Sequence, residues 1–434
     1  MSGGSHKTSI IAALKNPGKG TNIVILGTCD SKLQELLLLR QYALDAGADK
    51  VSIVDVGRSP TKDQNITVSQ ETVARYGQGS SNTAEMPRGE VITHMSNAAT
   101  ELMRDVWQAA GIHGVLSAGG SGGTSLAAAV MRDAFPIGFP KLIVSTVASG
   151  DTGPLVGETD MTLIYSVVDI SGSNTLLRAV FANAAGAMAG MAQAYQKTVL
   201  KAEEDKAVPR KNRVGITMFG VTTPCVDFCR QYLESKHDYE VYVFHATGHG
   251  GKAMERLVEA GELDAVLDIT TTEICDYLMG GNMSAGGSRL EAAAKAGIPY
   301  VLSLGATSMV NFGPSGTVPQ KYTERHLYEH NPTVTLMRTS KEECIAVGDY
   351  IADKLKLCSK PRNCHLVIPN GGLCMISTPG GPFADEEADQ AMFLAIKNGL
   401  TDSDVKVLDD HRDINDEGFA EDISKRLVKI MSSQ

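Results

Sequence analysis

The chain has 434 residues, 43% hydrophobic and 21% charged, with one tryptophan and 44 glycines. That is the composition of a soluble globular protein, too long for one ordinary core and suited to two domains of about 200 residues each. A formal net charge of −10 excludes a general nucleic-acid-binding surface, which needs clustered Lys and Arg.

No stretch approaches about 18 uninterrupted apolar residues, so no membrane span is expected. The basic N-terminal segment Met1 to Gly20 lacks the apolar core of a secretory signal. The eight cysteines are scattered rather than set out as a disulfide framework, and reduced thiols in a cytoplasmic protein are expected. Cys358, Cys364, His365 and Cys374 cluster along the chain but match no zinc spacing, so no metal site is assigned.

In chain order, Asn22 to Thr28 reads as a strand, Lys32 to Ala46 as a helix and Val51 to Val56 as a strand. The polar segment Gly57 to Arg88, with Pro60, Gly77, Gly79 and Pro87, reads as a loop excursion. A helix over about Glu90 to Ala110 leads to a strand at Ile112 to Leu116. Strands are expected at Lys141 to Thr146 and Met161 to Val167, and a small-residue helix at Asn174 to Gln196. The charged stretch Lys197 to Arg213 reads as a linker, which puts the domain boundary between 207 and 208.

The pattern then restarts. Strands are expected at Val214 to Gly220, Tyr239 to Phe244, Ala265 to Ile269, Tyr300 to Leu304 and His365 to Ile368. Helices are expected near Lys252 to Ala260, Ser288 to Ala296, Lys341 to Leu357 and Glu386 to Asn398, and Thr222-Thr223-Pro224 opens another with proline in its first turn. Strand alternating with helix at this rhythm predicts two doubly wound, mainly parallel α/β domains of Rossmann-like plan. Such domains bind ligands at the carboxyl ends of their strands, and a cleft between the two is the expected place for a site.

The densest signal is Ser117-Ala-Gly-Gly-Ser-Gly-Gly-Thr-Ser125, between the strand ending at Leu116 and the alanine-rich helix Leu126 to Ala134. A strand–glycine–helix junction lets an anion reach main-chain N–H groups at the positive end of a helix dipole. It is not a P-loop, because no lysine follows Gly123, and Gly250-Gly251-Lys252-Ala253 fails for want of a hydroxyl. It is not the dinucleotide fingerprint either, since Ser125 stands where glycine or alanine is expected. The phosphate site is therefore assigned to Gly119, Gly120, Ser121, Gly122, Gly123, Thr124 and Ser125. Neighbouring strand ends add Thr28, Asp30 and Lys32, and Thr146, Ser149 and Gly150. Asp30 is equally readable as a helix cap.

The second half has its own polar strand ends. His245 follows one strand, and Asp268, Glu273 and Asp276 follow the next, an arrangement suited to general acid–base chemistry. Thr270 with Glu273 reads equally as a capping box. Arg289, Asn311 and His326, on or beside the glycine- and proline-rich loops Gly280 to Gly287 and Gly305 to Pro319, are further candidates for the same cleft.

Seven ordered motifs carry a resemblance. They are Gly-Gly-Ser-Gly-Gly-Thr-Ser, Ile-Val-Ser-Thr-Val-Ala-Ser-Gly, Ser-Val-Val-Asp-Ile-Ser-Gly, Thr-Met-Phe-Gly-Val-Thr-Thr-Pro-Cys-Val, Phe-His-Ala-Thr-Gly, Leu-Asp-Ile-Thr-Thr-Thr-Glu and Met-Val-Asn-Phe-Gly-Pro. From about Asn22 to the C-terminus the chain resembles the family of the ATP-binding module of the tomato mosaic virus resistance protein, with bacterial and fungal relatives. The resemblance implies two α/β domains, ATP held by the N-terminal one, with Mg²⁺ as an open question, and a homodimer. In the tomato protein it also implies inhibition of a viral replication protein through a protein partner. The first loop reads Asp-Ser-Lys where the family often has Asp-Thr-Lys. Plant members continue into a barrel-like module resembling phosphoenolpyruvate hydrolases, whereas this chain stops at Gln434, so nucleotide binding transfers more directly than antiviral action. An enzyme of small-molecule metabolism centred on His245 is the second reading, and a protein-interaction module using Gly57 to Arg88 the third.

Overall fold

A computed structural model of the chain describes residues 3–18, 20–76, 83–204 and 210–433. The chain divides into two units, Met1–Val208 and Pro209–Gln434. In the first, six parallel strands are β1 (Asn22–Gly27), β2 (Lys50–Asp55), β3 (Ile66–Val68), β4 (Gly114–Gly119), β5 (Lys141–Ser145) and β6 (Thr162–Tyr165). Their spatial order is β3-β2-β1-β4-β5-β6, so the chain winds outward from β1 in one direction and then from β4 in the other. That reversal opens a crevice at the carboxyl ends of β1 and β4.

The helices are α1 (Gly3–Leu14), α2 (Cys29–Asp45), α3 (Gln70–Ala74), α4 (Arg88–Val106), α5 (Ser121–Ala134), α6 (Gly153–Val156) and α7 (Thr175–Glu204). Strand alternation explains how they cover both faces. Ile23 and Ile25 of β1 pack with Leu36, Leu39, Phe181 and Met188 of α2 and α7. Val24 and Leu26 pack with Leu14, Met95, Leu102 and Leu126 of α1, α4 and α5. Burial on both faces leaves the strand ends as the places for polar chemistry.

The second unit contains β7 (Arg213–Met218), β8 (Glu240–His245), β9 (Ala265–Thr270), β10 (Tyr300–Gly305), β11 (Met309–Phe312), β12 (Leu327–Asn331), β13 (Val334–Arg338), β14 (Cys364–Pro369) and β15 (Lys406–Asp410). Six form a parallel sheet in the order β15-β14-β10-β9-β7-β8, and β11-β13-β12 form a small antiparallel sheet. Here the winding reverses between β7 and β9. The helices are α8 (Thr223–His237), α9 (His249–Glu259), α10 (Glu273–Met279), α11 (Glu291–Ala296), α12 (Lys341–Leu355), α13 (Glu386–Gly399) and α14 (Glu417–Met431). Residues of α8 and α14 cover one sheet face, and residues of α9, α11, α12 and α13 the other.

Several local expectations are corrected. The start of the expected linker continues α7 to Glu204, because Lys197 to Glu204 contains good helix formers and no Gly or Pro. The excursion after β2 contains β3 and α3, while its Gly77 and Gly79 lie outside the described residues. The stretch Gly305 to Pro319 includes β11, which pairs with β13 through Met309↔Arg338 to Phe312↔Thr335. The eight cysteines are free and buried. Among the described residues no helix is long and apolar enough to cross a membrane, and no group of three or more His, Cys, Asp or Glu side chains is placed to hold a metal ion.

Candidate functional site

The glycine run is the first turn of a helix rather than a loop before one. Gly120 is the N-cap of α5, and no side chain caps that end. The first N–H groups of a helix have no partner within it, so the turn Ser121-Gly122-Gly123 presents donors at the positive end of the dipole. Thr124 faces inward: its Oγ1 donates to the Gly119 carbonyl at 3.2 Å and shares a 2.8 Å hydrogen bond with Ser145 Oγ. That bond, with the Thr146 N–H donating to the Gly119 carbonyl at 3.3 Å, fixes the end of β4 against β5. A Cβ on Gly122 would stand 3.3 Å from Ile92 Cδ1 and 3.4 Å from an Arg88 terminal nitrogen. Glycine here lets α4 and its arginine approach the turn.

Thr28, Asp30, Gly122 and Gly123 line one cavity of about 250 Å³, together with Ser31, Arg58, Arg88 and apolar Val56, Val91, Ile92 and Leu126. Lys32, Gly119, Gly120, Ser121, Thr124, Ser125, Thr146, Ser149 and Gly150 are not among the residues lining it. Asp30 does not cap its helix: its Oδ2 accepts the N–H groups of Arg58 and Ser59 at 3.0 and 3.1 Å. It thereby ties the segment after β2 to the cavity rim. The helix cap position belongs to Thr28, without a side-chain hydrogen bond, and the helix kinks at Lys32 (φ −135°, ψ 19°). Asp55, fully buried at the end of β2, accepts the N–H groups of Cys29 and Gly57 at 3.1 and 2.9 Å. Burial pushes its carboxyl up to about 6.

Three polar cavity residues escaped the sequence reading: Ser31, Arg58 and Arg88. The Arg58 guanidinium is held by the Ala84 and Met86 carbonyls at 2.6 and 2.7 Å. Arg88, the first residue of α4, is exposed and has no hydrogen bond or ion pair among the described residues. It was missed because it sits 34 positions before Gly122, and only the packing of α4 on α5 joins them.

The second unit's polar strand ends are internally consumed. Arg289 is fully buried; its Nη1 and Nη2 each donate to Asp268 at 2.6 Å, and its Nε donates to Glu273 at 2.8 Å. Nη1 also donates to Glu255 at 3.3 Å. Asp268 further accepts from Thr217 Oγ1 at 2.6 Å and the Tyr300 hydroxyl at 3.1 Å. Glu273 Oε1 accepts the N–H groups of Gly248 and Gly251 at 2.7 and 3.0 Å. A carboxylate of this chain thus occupies the N-terminus of α9 as an external anion would, and a Cβ on Gly251 would collide with it. Burial raises the Glu255 and Glu273 carboxyls, opposed by the Arg289 charge.

The expected capping box is absent: Thr272 is the N-cap of α10, and Thr270 Oγ1 instead meets Thr222 Oγ1 at 2.7 Å. Asp276 accepts the N–H groups of Met283 and Asn311 at 2.7 and 2.8 Å, tying α10 to β11. His245 is exposed, its ring stacked on Phe219 at 5.6 Å, and it bonds to none of these carboxylates among the described residues. His326 packs edge-on against Phe383 at 5.2 Å. The expected acid–base set is therefore divided: Asp268 and Glu273 belong to the Arg289 ion cluster, Asp276 ties α10 to β11, and His245 stacks on Phe219.

Fold and site together define a two-domain α/β protein in which the N-terminus of α5 has no side-chain cap and that of α9 is met by the Glu273 carboxylate. Residues 21–197 match the N-terminal domain, and 211–431 the C-terminal domain, of an uncharacterised protein family, UPF0261. The chain belongs to that family. It is 43% identical over 411 residues to a UPF0261 protein of Clostridium tetani, covering 94% of this chain and 98% of that one. A Rhizobium meliloti member is 44% identical over 407 residues, covering 92% and 96%. The tomato ToMV resistance protein Tm-1(GCR237) is 38% identical over 427 residues, covering 94% of this chain and 55% of the tomato protein.

Removing one partner of a buried ion cluster leaves uncompensated charge, so Arg289→Ala should lower the unfolding free energy by about 3–5 kcal/mol, measurable by urea denaturation. Asp276 provides a pH test. Burial pushes its carboxyl up from 3.8 to about 7, so between those values the folded protein binds more protons than the unfolded chain, and this contribution to stability falls as pH rises. Asp276→Asn should therefore gain stability relative to wild type from pH 4 to pH 7 in denaturant melts across that range.

Proposed function

We propose that the protein binds a nucleotide through its first domain, with the phosphates on the N-terminal turn of α5. The observation that carries this reading is the uncapped glycine turn facing the same cavity as an arginine with no partner among the described residues, at the point where the winding of the sheet reverses. Backbone N–H groups and a helix dipole favour phosphate oxygens. Arg88 would supply the positive charge that a P-loop takes from its lysine. The hydroxyls of Thr28 and Ser31 stand on the same wall and suit phosphate or sugar oxygens. ATP is the nucleotide that the family resemblance implies, in a cytoplasmic protein.

Catalysis at His245 is less favoured, because the neighbouring carboxylates are consumed by Arg289 and backbone N–H groups. A protein-interaction role rests on the tomato relative's name as a resistance protein, and any such partner would be a property added to nucleotide binding. Self-association has a local basis. Ala179, Ala182, Gly186, Gly190 and Ala194 form an exposed small-residue face on α7, with open space where a Cβ on Gly186 or Gly190 would be. Small residues let two helices approach closely.

Gly122→Asp would place a carboxylate beside Arg88 at the donor turn, a built-in competitor for phosphate. Calorimetry should show ATP binding abolished with the circular dichroism spectrum unchanged. Arg88→Ala should weaken ATP by about tenfold or more, the loss of one charge-assisted contact. Unaltered affinity in both variants would sink the proposal. For self-association, sedimentation equilibrium should give a wild-type dimer and a folded Gly186→Leu/Gly190→Leu monomer; a dimer in both excludes this helix face as the contact.

A further inference from the structure

The end of the second sheet opposite its strand-end ion cluster holds an unbalanced group of cations. His365, near the start of β14, is only 7% exposed, yet neither ring nitrogen has a hydrogen-bond partner. Parallel register sets His365 beside Lys406, the first residue of β15. Alternation puts both on the α14 face: Val367 and Leu408, two positions further along each strand, pack with Ile423, Leu427 and Ile430 of that helix. α14 contributes Arg426 and Lys429 to the same corner, and the Arg426 Nε is also buried without a partner.

Among the described residues, Lys406, Arg426 and Lys429 make no ion pair. Nearby Arg362 has its own acid, Asp404, at 3.7 Å. Burial, with the charges of Lys406, Arg426 and Lys429, pushes the imidazole down to about 4. The Arg362 backbone opposes this, but without hydrogen-bond geometry at either nitrogen.

In a chain of net charge −10, a buried imidazole and a buried guanidinium Nε that both lack a partner, beside two exposed lysines with no ion pair among the described residues, need an explanation. The carboxyl end of α14 favours Lys429 through its free carbonyls. It does not account for Lys406, which comes from a separate strand, or for the bare nitrogens of His365. A bound water could satisfy the ring but would leave the charges unbalanced. An oxyanion meets both needs: it accepts from the Arg426 Nε–H and an imidazole N–H while lying among the ammonium groups. We propose that this corner is an anion site for phosphate or a phosphate-bearing small molecule, separate from the glycine turn of the first domain.

The test uses the full chain labelled at histidine, with the His365 ring signals assigned by their loss in His365→Gln, and inorganic phosphate as the probe at constant ionic strength. Phosphate should shift those signals saturably and raise the ring's titration midpoint. The same shift should need about tenfold more phosphate in Arg426→Gln, as expected for losing a charge-assisted contact. Lys406→Ala, at an exposed position, should also weaken the response while leaving the melting temperature unchanged. Gly122→Asp should not change it, which separates this site from the first domain's. If the ring signals ignore phosphate at tens of millimolar, or respond in Arg426→Gln and Lys406→Ala as they do in wild type, the proposal is wrong.

Discussion

A parallel sheet covered by helices on both faces has little room for charged groups along its length, so most of them gather where the strands end. At each strand end a buried donor, acceptor or charge must find a partner inside the protein or stay accessible to one from outside. The two domains meet this constraint in opposite ways. In the second, Arg289 gathers Asp268, Glu273 and Glu255, and Glu273 also fills the helix terminus at Gly248 and Gly251. In the first, the comparable terminus at Gly120 has no side-chain cap. The difference follows from which residue stands opposite each glycine turn: a buried glutamate in one case, an exposed arginine in the other.

Glycine consequently has two meanings in this chain. Gly251 makes room for a carboxylate of the same domain, whereas Gly122 makes room for Arg88 and the start of α4. Both turns look like anion nests when read locally. Only the first retains its donors, and this asymmetry directs the nucleotide reading to the N-terminal domain. The same reasoning applies at the opposite sheet end around His365, where Lys406, Arg426 and Lys429 make no ion pair among the described residues and the ring nitrogens have no partner.

Much of the architecture was legible in the amino-acid order, because local periodicity reports burial directly. Runs such as Asn22-Ile-Val-Ile-Leu and Lys141-Leu-Ile-Val-Ser cannot be solvent-facing strands, and each is buried from end to end. The short strands β11 to β13 were less visible. They pair antiparallel across a loop-rich stretch, and β12 is mostly exposed, so no strong apolar pattern marks it. The continuation of α7 to Glu204 was hidden by charge, since Lys and Glu serve an exposed helix as readily as a linker.

Side-chain roles were legible only where they depend on near neighbours. The sequence alone determined two parallel α/β domains, the position of the glycine turn, and the polarity of the strand ends, because each follows from periodicity and backbone freedom over a few residues. Tertiary structure decided which polar groups were already paired. Asp30 was readable as a helix cap and Glu273 as an acid–base residue until their backbone partners were in place, and Arg88 meant nothing until α4 lay against Gly122. A charge is defined by what surrounds it, and those surroundings are assembled from segments tens of residues apart.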